Sequence, residues 1–383
     1  MSLFKIDKMK KFLLTFFAWI AILFSANAQT KNFFAGFKVI HATDSSRIYE
    51  LNTDINNPLH FRPLDIDFWY PAEISNSDTA LIYGDILGLL EQRANYYTGT
   101  TNSTGLTMQV AKAFCDGFKC SDSAKLLGYR TKTYKNANMQ KGKWPLVIYC
   151  ASYGSLCYEN FAMLEALAEK GYAVMSISSI GRFPGDMTTA KEDLFEQIAD
   201  AVFSVKHFAG NPSIDFSRIA VIGYSWGGLA GSLLPNKIPN IACIVSLEGS
   251  EFHHYGQKDP DAKKDDSNFN SLIKTPEFSK RNMQVPYLRF ESLSSGSKDE
   301  FDSVYQFARV LANKKIFKIL NAQHEDFSCI GSVVKSSGNC AGDNKYFTVL
   351  QLTISYIDEK IKREGSFNSE LAKFLNKSVV ESK

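Results

Sequence analysis

From residue 144 onward the chain alternates apolar, β-branched runs with amphipathic stretches at helical spacing, and this alternation restricts the architecture more than any other feature. The runs "WPLVIYCA", "YAVMSISS", "RIAVIGY", "IACIVSL", "PYLRFES" and "IFKIL" read as strands, and most lack the polar alternation of a strand with one wet face. Between them, "NFAMLEALAEKG" sets Phe161, Leu164, Leu167 and Ala168 on one side and stops at Gly171, as an amphipathic helix with a glycine end does. The stretch "KEDLFEQIADAVFSVKHF" places Leu194, Phe195, Ile198, Val202, Val205 and Phe208 on one helical face, and "YFTVLQLTISYIDEKIK" supplies a closing helix. Strand and helix in strict turn predict a largely parallel sheet covered on both faces.

The earlier part of the chain reads differently. Residues 30 to about 75 are rich in β-branched and aromatic residues broken by Asp, Ser and Pro, which predicts strands. Residues 80–135 carry apolar spacing near three to four around the polar "TGTTNSTG" and read as an insertion of short helices. No internal repeat or long linker breaks the remainder. The expected organisation is a signal peptide over residues 1–28 and a single domain over 29–383, with insertions at about 80–135 and 249–284.

The signal peptide is read from Lys5, Lys8, Lys10 and Lys11, the apolar "FLLTFFAWIAILFS" and the small residues "ANAQ", with cleavage after Ala28. This apolar run is shorter than the roughly 20 residues a membrane-spanning helix needs, so an exported, periplasmic or secreted protein without a stable membrane span is expected. The whole chain carries a formal charge of +3. Its four signal-peptide lysines, against one Asp, account for that excess, which gives no support for nucleic-acid binding. Export makes the seven cysteines candidates for disulfides. Cys115 with Cys120, and Cys329 with Cys340, are close enough in sequence to close short loops, whereas Cys150 and Cys243 lie inside strand-like runs as small hydrophobes. The spacing resembles no zinc site, and no cofactor is indicated.

The chemistry centres on "IAVIGYSWGGLAG". Gly-x-Ser-x-Gly alone arises by chance in a chain of this length in roughly one case in ten, so its setting decides. Ser225 follows the strand "RIAVIG" and precedes "WGGLAGSLL", which begins with small residues and turns apolar as a helix would. A strand entering a helix through this pattern makes a sharp elbow that presents the serine hydroxyl above the sheet. Gly223 and Gly227 are the elbow glycines, where side chains would collide across the turn. The alternative is a structural or phosphate-binding turn.

A serine hydroxyl needs a base to become a nucleophile. His324, in "KILNAQHEDFS", follows a strand and stands where the order serine, acid, histidine places the base. The acid has two candidates at strand ends, Glu248 in "IVSLEGS" and, as the alternative, Glu291 in "YLRFES". His253 and His254 in "GSEFHHYG" would line the mouth of a site; they lack companions at metal-ligand spacing, so no metal is expected.

On these segments, with "RPLDIDFWYPAE", "WPLVIYCASYGS" and "GYAVMSISSIGR", the chain resembles the α/β-hydrolases, and within them the platelet-activating-factor acetylhydrolase and dienelactone-hydrolase group. The resemblance spans most of the chain after residue 28. It implies an α/β-hydrolase fold with a mainly parallel central sheet, flanking helices and cap-like helical insertions. The acetylhydrolase type has its acid after the strand next to the elbow strand, matching Glu248; the dienelactone-hydrolase type has it one strand later, matching Glu291, with cysteine as nucleophile where this chain has Ser225. The resemblance also implies an oxyanion hole from the backbone N–H groups of Trp226 and Tyr153. This chain departs from the group by carrying Ala151-Ser152 where members have His-Gly, which puts the shape of that loop in question.

The expected function is an exported serine esterase acting on a small-molecule carboxylic ester. The competing expectations are a catalytically weak or inactive binding protein of the same fold, and a peptidase of that fold. Nothing in the sequence specifies the oligomeric state. Selectivity is expected from the two insertions, whose Tyr96, Tyr97 and Tyr255 would suit a semi-apolar acyl or aromatic group, or would pack.

Overall fold

A computed structural model describes residues 33–99, 104–252, 271–272, 274–276, 285–292, 314–338, 340 and 345–381. The predicted signal peptide lies outside the described residues, as does most of the 249–284 connection, with His253, His254 and Tyr255.

Twelve strands among the described residues form one sheet: β1 (Phe34–Ile48), β2 (Phe61–Glu73), β3 (Ala80–Ile82), β4 (Arg130–Lys135), β5 (Asn138–Met139), β6 (Trp144–Cys150), β7 (Ala173–Ile177), β8 (Ile214–Tyr224), β9 (Ile241–Leu247), β10 (Tyr287–Ser292), β11 (Lys314–Ile319) and β12 (Val379–Glu381). Their order is β12-β11-β10-β9-β8-β6-β7-β2-β1-β4-β3, with β5 beside β2. The run β11-β10-β9-β8-β6-β7 is parallel throughout. The long β1–β2 pair is antiparallel and joins the sheet through β7. The parallel strands therefore all end at one edge, and that edge receives the loops carrying the candidate site.

Both faces of the parallel part are buried, as its apolar strands require. Val147, Tyr149, Ala220, Ile222 and Val245 point into a core shared with the helices Phe161–Glu169 and Lys345–Ile357. Leu146, Ile148, Ile219, Val221 and Ile244 point into a second core shared with Lys191–His207 and Trp226–Leu233.

Two expectations require correction. Residues 80–135 do contain helices, Tyr83–Thr98, Leu106–Phe118 and Ser123–Leu127, but they begin and end in strands β3 and β4 that extend the sheet. The helix Lys191–His207 buries more than the face its apolar residues outline: Leu194, Ile198 and, just past its end, Phe208 are buried and Phe195, Val202 and Val205 are half-buried against the same core, but Asp193, Gln197, Asp200 and Ser204 are buried beside them. Three of the buried polar residues bond to neighbouring segments. Asp193 accepts from the N–H groups of Arg182 and Thr188, Asp200 pairs with Arg62, and Gln197 donates to the Ala151 carbonyl at 2.9 Å.

The cysteines also pair otherwise than expected. The disulfide is Cys120–Cys340, while Cys115 and Cys329 are buried free thiols. Cys115 faces the core from the helix Leu106–Phe118, and Cys329 is buried at the start of the helix Ile330–Ser337. These two helices pack together, which brings the segments beyond their C-terminal ends into contact; Ser337 Oγ lies 2.9 Å from Ser121 Oγ. Cys150 and Cys243 are buried, as expected. A protein disulfide typically contributes about 2–4 kcal/mol. Reductant is therefore expected to lower the thermal midpoint of the wild type by several degrees and to leave Cys120→Ser unchanged; equal midpoints with and without reductant would show that the bond contributes nothing.

Candidate active site

Ser225 sits between the end of β8 and the helix Trp226–Leu233 with φ 52° and ψ −120°. A positive φ is costly for a residue with a Cβ and persists only where its surroundings impose it. Here the Ser225 N–H donates to the Leu247 carbonyl at 3.1 Å, and its own carbonyl accepts from Gly228 and Ser250, each at 2.9 Å. The elbow closes this tightly because of its glycines. A Cβ on Gly223 would run into the Gly227 carbonyl, and one on Gly227 into the Cys150 carbonyl of the neighbouring strand.

His324 opens a 3-10 turn, His324–Phe327, beyond β11. Its ring stacks on Tyr224, the residue before Ser225, with centroids 5.0 Å apart, and its carbonyl accepts from the Tyr224 hydroxyl at 3.1 Å. Its Nδ1 lies 3.1 Å from Glu248 Oε2. Glu248 directly follows β9 and has φ 45°. Its other oxygen accepts from the Ser292 N–H at 3.0 Å and the Ser292 hydroxyl at 2.5 Å, so both oxygens are engaged. Burial works to raise the Glu248 carboxyl, but the hydrogen bonds from His324 and Ser292 and the charge of His324 outweigh it and hold the group below its ordinary value. The carboxylate is thus kept ionised beside the imidazole.

Glu291 occupies a different environment. Its Oε1 pairs with Arg289 Nε at 2.5 Å within a fully buried cluster. The same guanidinium donates to the Gly249 carbonyl at 2.7 Å and to Ser246 Oγ at 3.1 Å, and lies 3.3 Å from Glu251. Tyr287 donates to Glu251. The structure therefore pairs Glu248 with His324 and pairs Glu291 with Arg289, beneath the turn that follows Glu248.

The two residues expected to form the oxyanion hole meet above the elbow. Trp226 is the first residue of its helix, where backbone N–H groups present the positive end of the dipole. The Tyr153 ring packs edge-on against the Trp226 ring, centroids 5.8 Å apart, in the loop after β6. That loop is held on its outer side by Met187, whose carbonyl accepts from the Tyr153 hydroxyl and whose Sδ lies 3.3 Å from the Gly154 nitrogen. Among the described residues, no group of three or more His, Cys, Asp or Glu side chains is arranged to hold a metal ion.

Sequence reasoning passed over Tyr224, Ser292 and Met187. Tyr224 stands inside the elbow motif and Ser292 directly after Glu291, yet no residue type or spacing marks either as a partner of the site.

A mainly parallel sheet, helices on both faces, and a strand–serine–helix elbow at the strands' C-terminal edge define the class: the fold is that of the α/β-hydrolases. Residues 132–259 match the family model of the X-Pro dipeptidyl-peptidases (S15 family). Among solved structures, the chain is similar to a ferulic acid esterase from Streptomyces cinnamoneus, with TM-score 0.61 and 17% identity over 94% of this chain and 98% of that one. It also overlaps the acylaminoacyl peptidase of Pyrococcus horikoshii, with TM-score 0.47 and 14% identity over 88% of this chain and 44% of that one. No curated protein sequence matches the chain.

Proposed function

We propose that the chain is an exported serine hydrolase that cleaves a carboxylic ester through an acyl-enzyme. The observation that carries this reading is the Glu248–His324 pair at the same sheet edge as a serine in strained backbone geometry, with the His324 ring stacked on Tyr224, the residue before that serine. In this mechanism Ser225 Oγ attacks the ester carbonyl and His324 Nε2, the nitrogen not facing Glu248, takes the hydroxyl proton. Glu248 orients the ring and stabilises the imidazolium. The carbonyl oxygen becomes an oxyanion, which the backbone N–H groups of Trp226 and Tyr153 bind. Collapse breaks the C–O bond, and the imidazolium returns the proton to the departing alkoxide. Water then repeats the sequence on the acyl-serine, releasing the acid and restoring Ser225.

The position of Glu248, directly after the strand next to the elbow strand, agrees with the acetylhydrolase type of resemblance and supports that finer grouping. Export is supported by the N-terminal pattern and by the Cys120–Cys340 disulfide, a bond suited to oxidising compartments. Among the described residues, no helix is long and apolar enough to cross a membrane.

Incubation with a fluorophosphonate is expected to add one equivalent, mapped by peptide mass spectrometry to Ser225, with parallel loss of p-nitrophenyl acetate hydrolysis. A protein that neither labels nor hydrolyses the ester would be the inactive binding protein instead. A peptidase reading is favoured by the match to the X-Pro dipeptidyl-peptidases over 132–259. Matched ester and amide substrates separate the two, since an esterase turns over the ester far faster than its amide counterpart.

A further inference from the structure

One buried acid takes no part in the machinery around Ser225. Glu159 is 2% exposed. Its Oε1 accepts from the Tyr149 hydroxyl at 2.6 Å and the Ser152 N–H at 2.8 Å, and its Oε2 from the Ser152 hydroxyl at 2.5 Å. Ser152 directly precedes Tyr153 and closes a turn by accepting from the Ser155 N–H at 3.1 Å. The backbone of the same stretch reaches the opposite loop. The Glu159 carbonyl accepts from the Cys329 N–H at 2.8 Å, and the Asn160 amide donates to the Phe327 carbonyl at 3.2 Å and to the Tyr149 hydroxyl at 2.9 Å. Phe327 ends the turn that His324 begins. One dipeptide is thus bonded on one side to the loop carrying Tyr153 and on the other to the loop carrying His324.

From this juxtaposition we infer that Glu159 and Asn160 are positioning residues, which fix the oxyanion loop and the His324 turn relative to each other so that one geometry serves both proton transfer and oxyanion binding. This rests on the serine-hydrolase reading of Ser225. It assigns a role to Ser152, one of the two residues, Ala151-Ser152, that stand where the resembled group has His-Gly: Ser152 gives the buried carboxylate two donors, and the carboxylate in return fixes the loop. A buried carboxyl group is tolerated only when its lone pairs are met, so the two residues depend on each other. Burial pushes the Glu159 carboxyl above its ordinary value despite these donors, and removing one leaves it less compensated still. Their effects on the reaction are therefore expected to be non-additive, as for residues sharing one network.

The test measures kcat, KM and inhibition by phenylboronic acid, which becomes tetrahedral on a nucleophilic serine, for wild type, Ser152→Ala, Glu159→Gln and the double variant. Rates are normalised to the fraction of Ser225 that labels with fluorophosphonate. A displaced positioning loop costs on the order of 10- to 100-fold. Each single variant is expected to lose that much kcat with KM within about twofold, boronate binding weakening by a similar factor, and the double variant is expected to be no worse than the worse single one. If Glu159→Gln does not fold, Ser152→Ala and Asn160→Ala carry the same measurements. Variants that label and keep wild-type kcat and boronate affinity, lowering only the thermal midpoint, would overturn the inference, as would fully additive losses. A wild type that neither labels nor turns over substrate overturns the underlying reading as well, and is thereby told apart from failure of the clamp alone.

Discussion

Ser225→Ala is expected to lower kcat for p-nitrophenyl acetate by roughly 10⁴- to 10⁶-fold, the range for loss of a triad nucleophile, and to abolish fluorophosphonate labelling. The fold is expected to survive. Nothing else is built on the hydroxyl among the elbow's backbone hydrogen bonds, and alanine keeps the Cβ at the same φ of 52°. The backbone supplies a second arm of the test. Ser225→Gly removes the Cβ from a positive-φ position, and relief of such strain is worth about 1 kcal/mol or somewhat more. This variant is expected to be as inactive as the alanine variant yet to melt at a higher temperature than wild type. Retention of more than a tenth of wild-type activity in either variant, after active-site titration, would remove Ser225 from the reaction.

The second large effect separates the two acids. Glu248→Gln is expected to lower kcat by about 10³- to 10⁴-fold, because an amide facing Nδ1 no longer stabilises the imidazolium or enforces the tautomer that leaves Nε2 free to accept a proton. Glu291→Gln removes one carboxylate from the Arg289 cluster, and a buried guanidinium deprived of a partner costs stability. Its expected signature is a lower thermal midpoint with kcat per labelled serine within about threefold of wild type. The reverse ranking would transfer the orienting role to Glu291. The pH dependence of stability gives an independent reading of Glu248. Its carboxyl is held below the ordinary value in the folded protein, so its contribution is present above the unfolded value and is lost as pH falls through the folded one. Glu248→Gln is expected to lose part of that acid-side decline, measured by thermal melts on a pH series.

The strand and helix order from residue 144 onward was legible because the central strands β6, β7, β8 and β9 are buried and almost wholly apolar along their parallel-paired stretches. The elbow was legible because Gly223 and Gly227 are required by collisions within a few residues of themselves. The partners of the histidine were harder to read. Glu248 and Glu291 both end strands at the same sheet edge, and nothing local distinguishes them; the difference lies in Arg289, which faces Glu291 and is itself an ordinary basic residue in sequence. Cys120 and Cys340 illustrate the same limit over a longer span, since they lie 220 residues apart in the chain and their pairing depends on how the helices before them, Leu106–Phe118 and Ile330–Ser337, are packed. In the helix Lys191–His207, periodicity marks the face of Leu194, Phe195, Ile198, Val202, Val205 and Phe208, which does pack on the core, but it carries no signal of the tertiary hydrogen bonding that draws Asp193, Gln197 and Asp200 inward beside it.

That inward-turned polar stripe has an implication for engineering. Substitutions intended to make the helix more conventionally amphipathic, such as Gln197→Leu, would satisfy any hydrophobicity score and detach the carbonyl of Ala151, the residue at the root of the Tyr153 loop. That carbonyl would be left buried without this donor, so Gln197→Leu is expected to cost stability and turnover together rather than to trade one for the other.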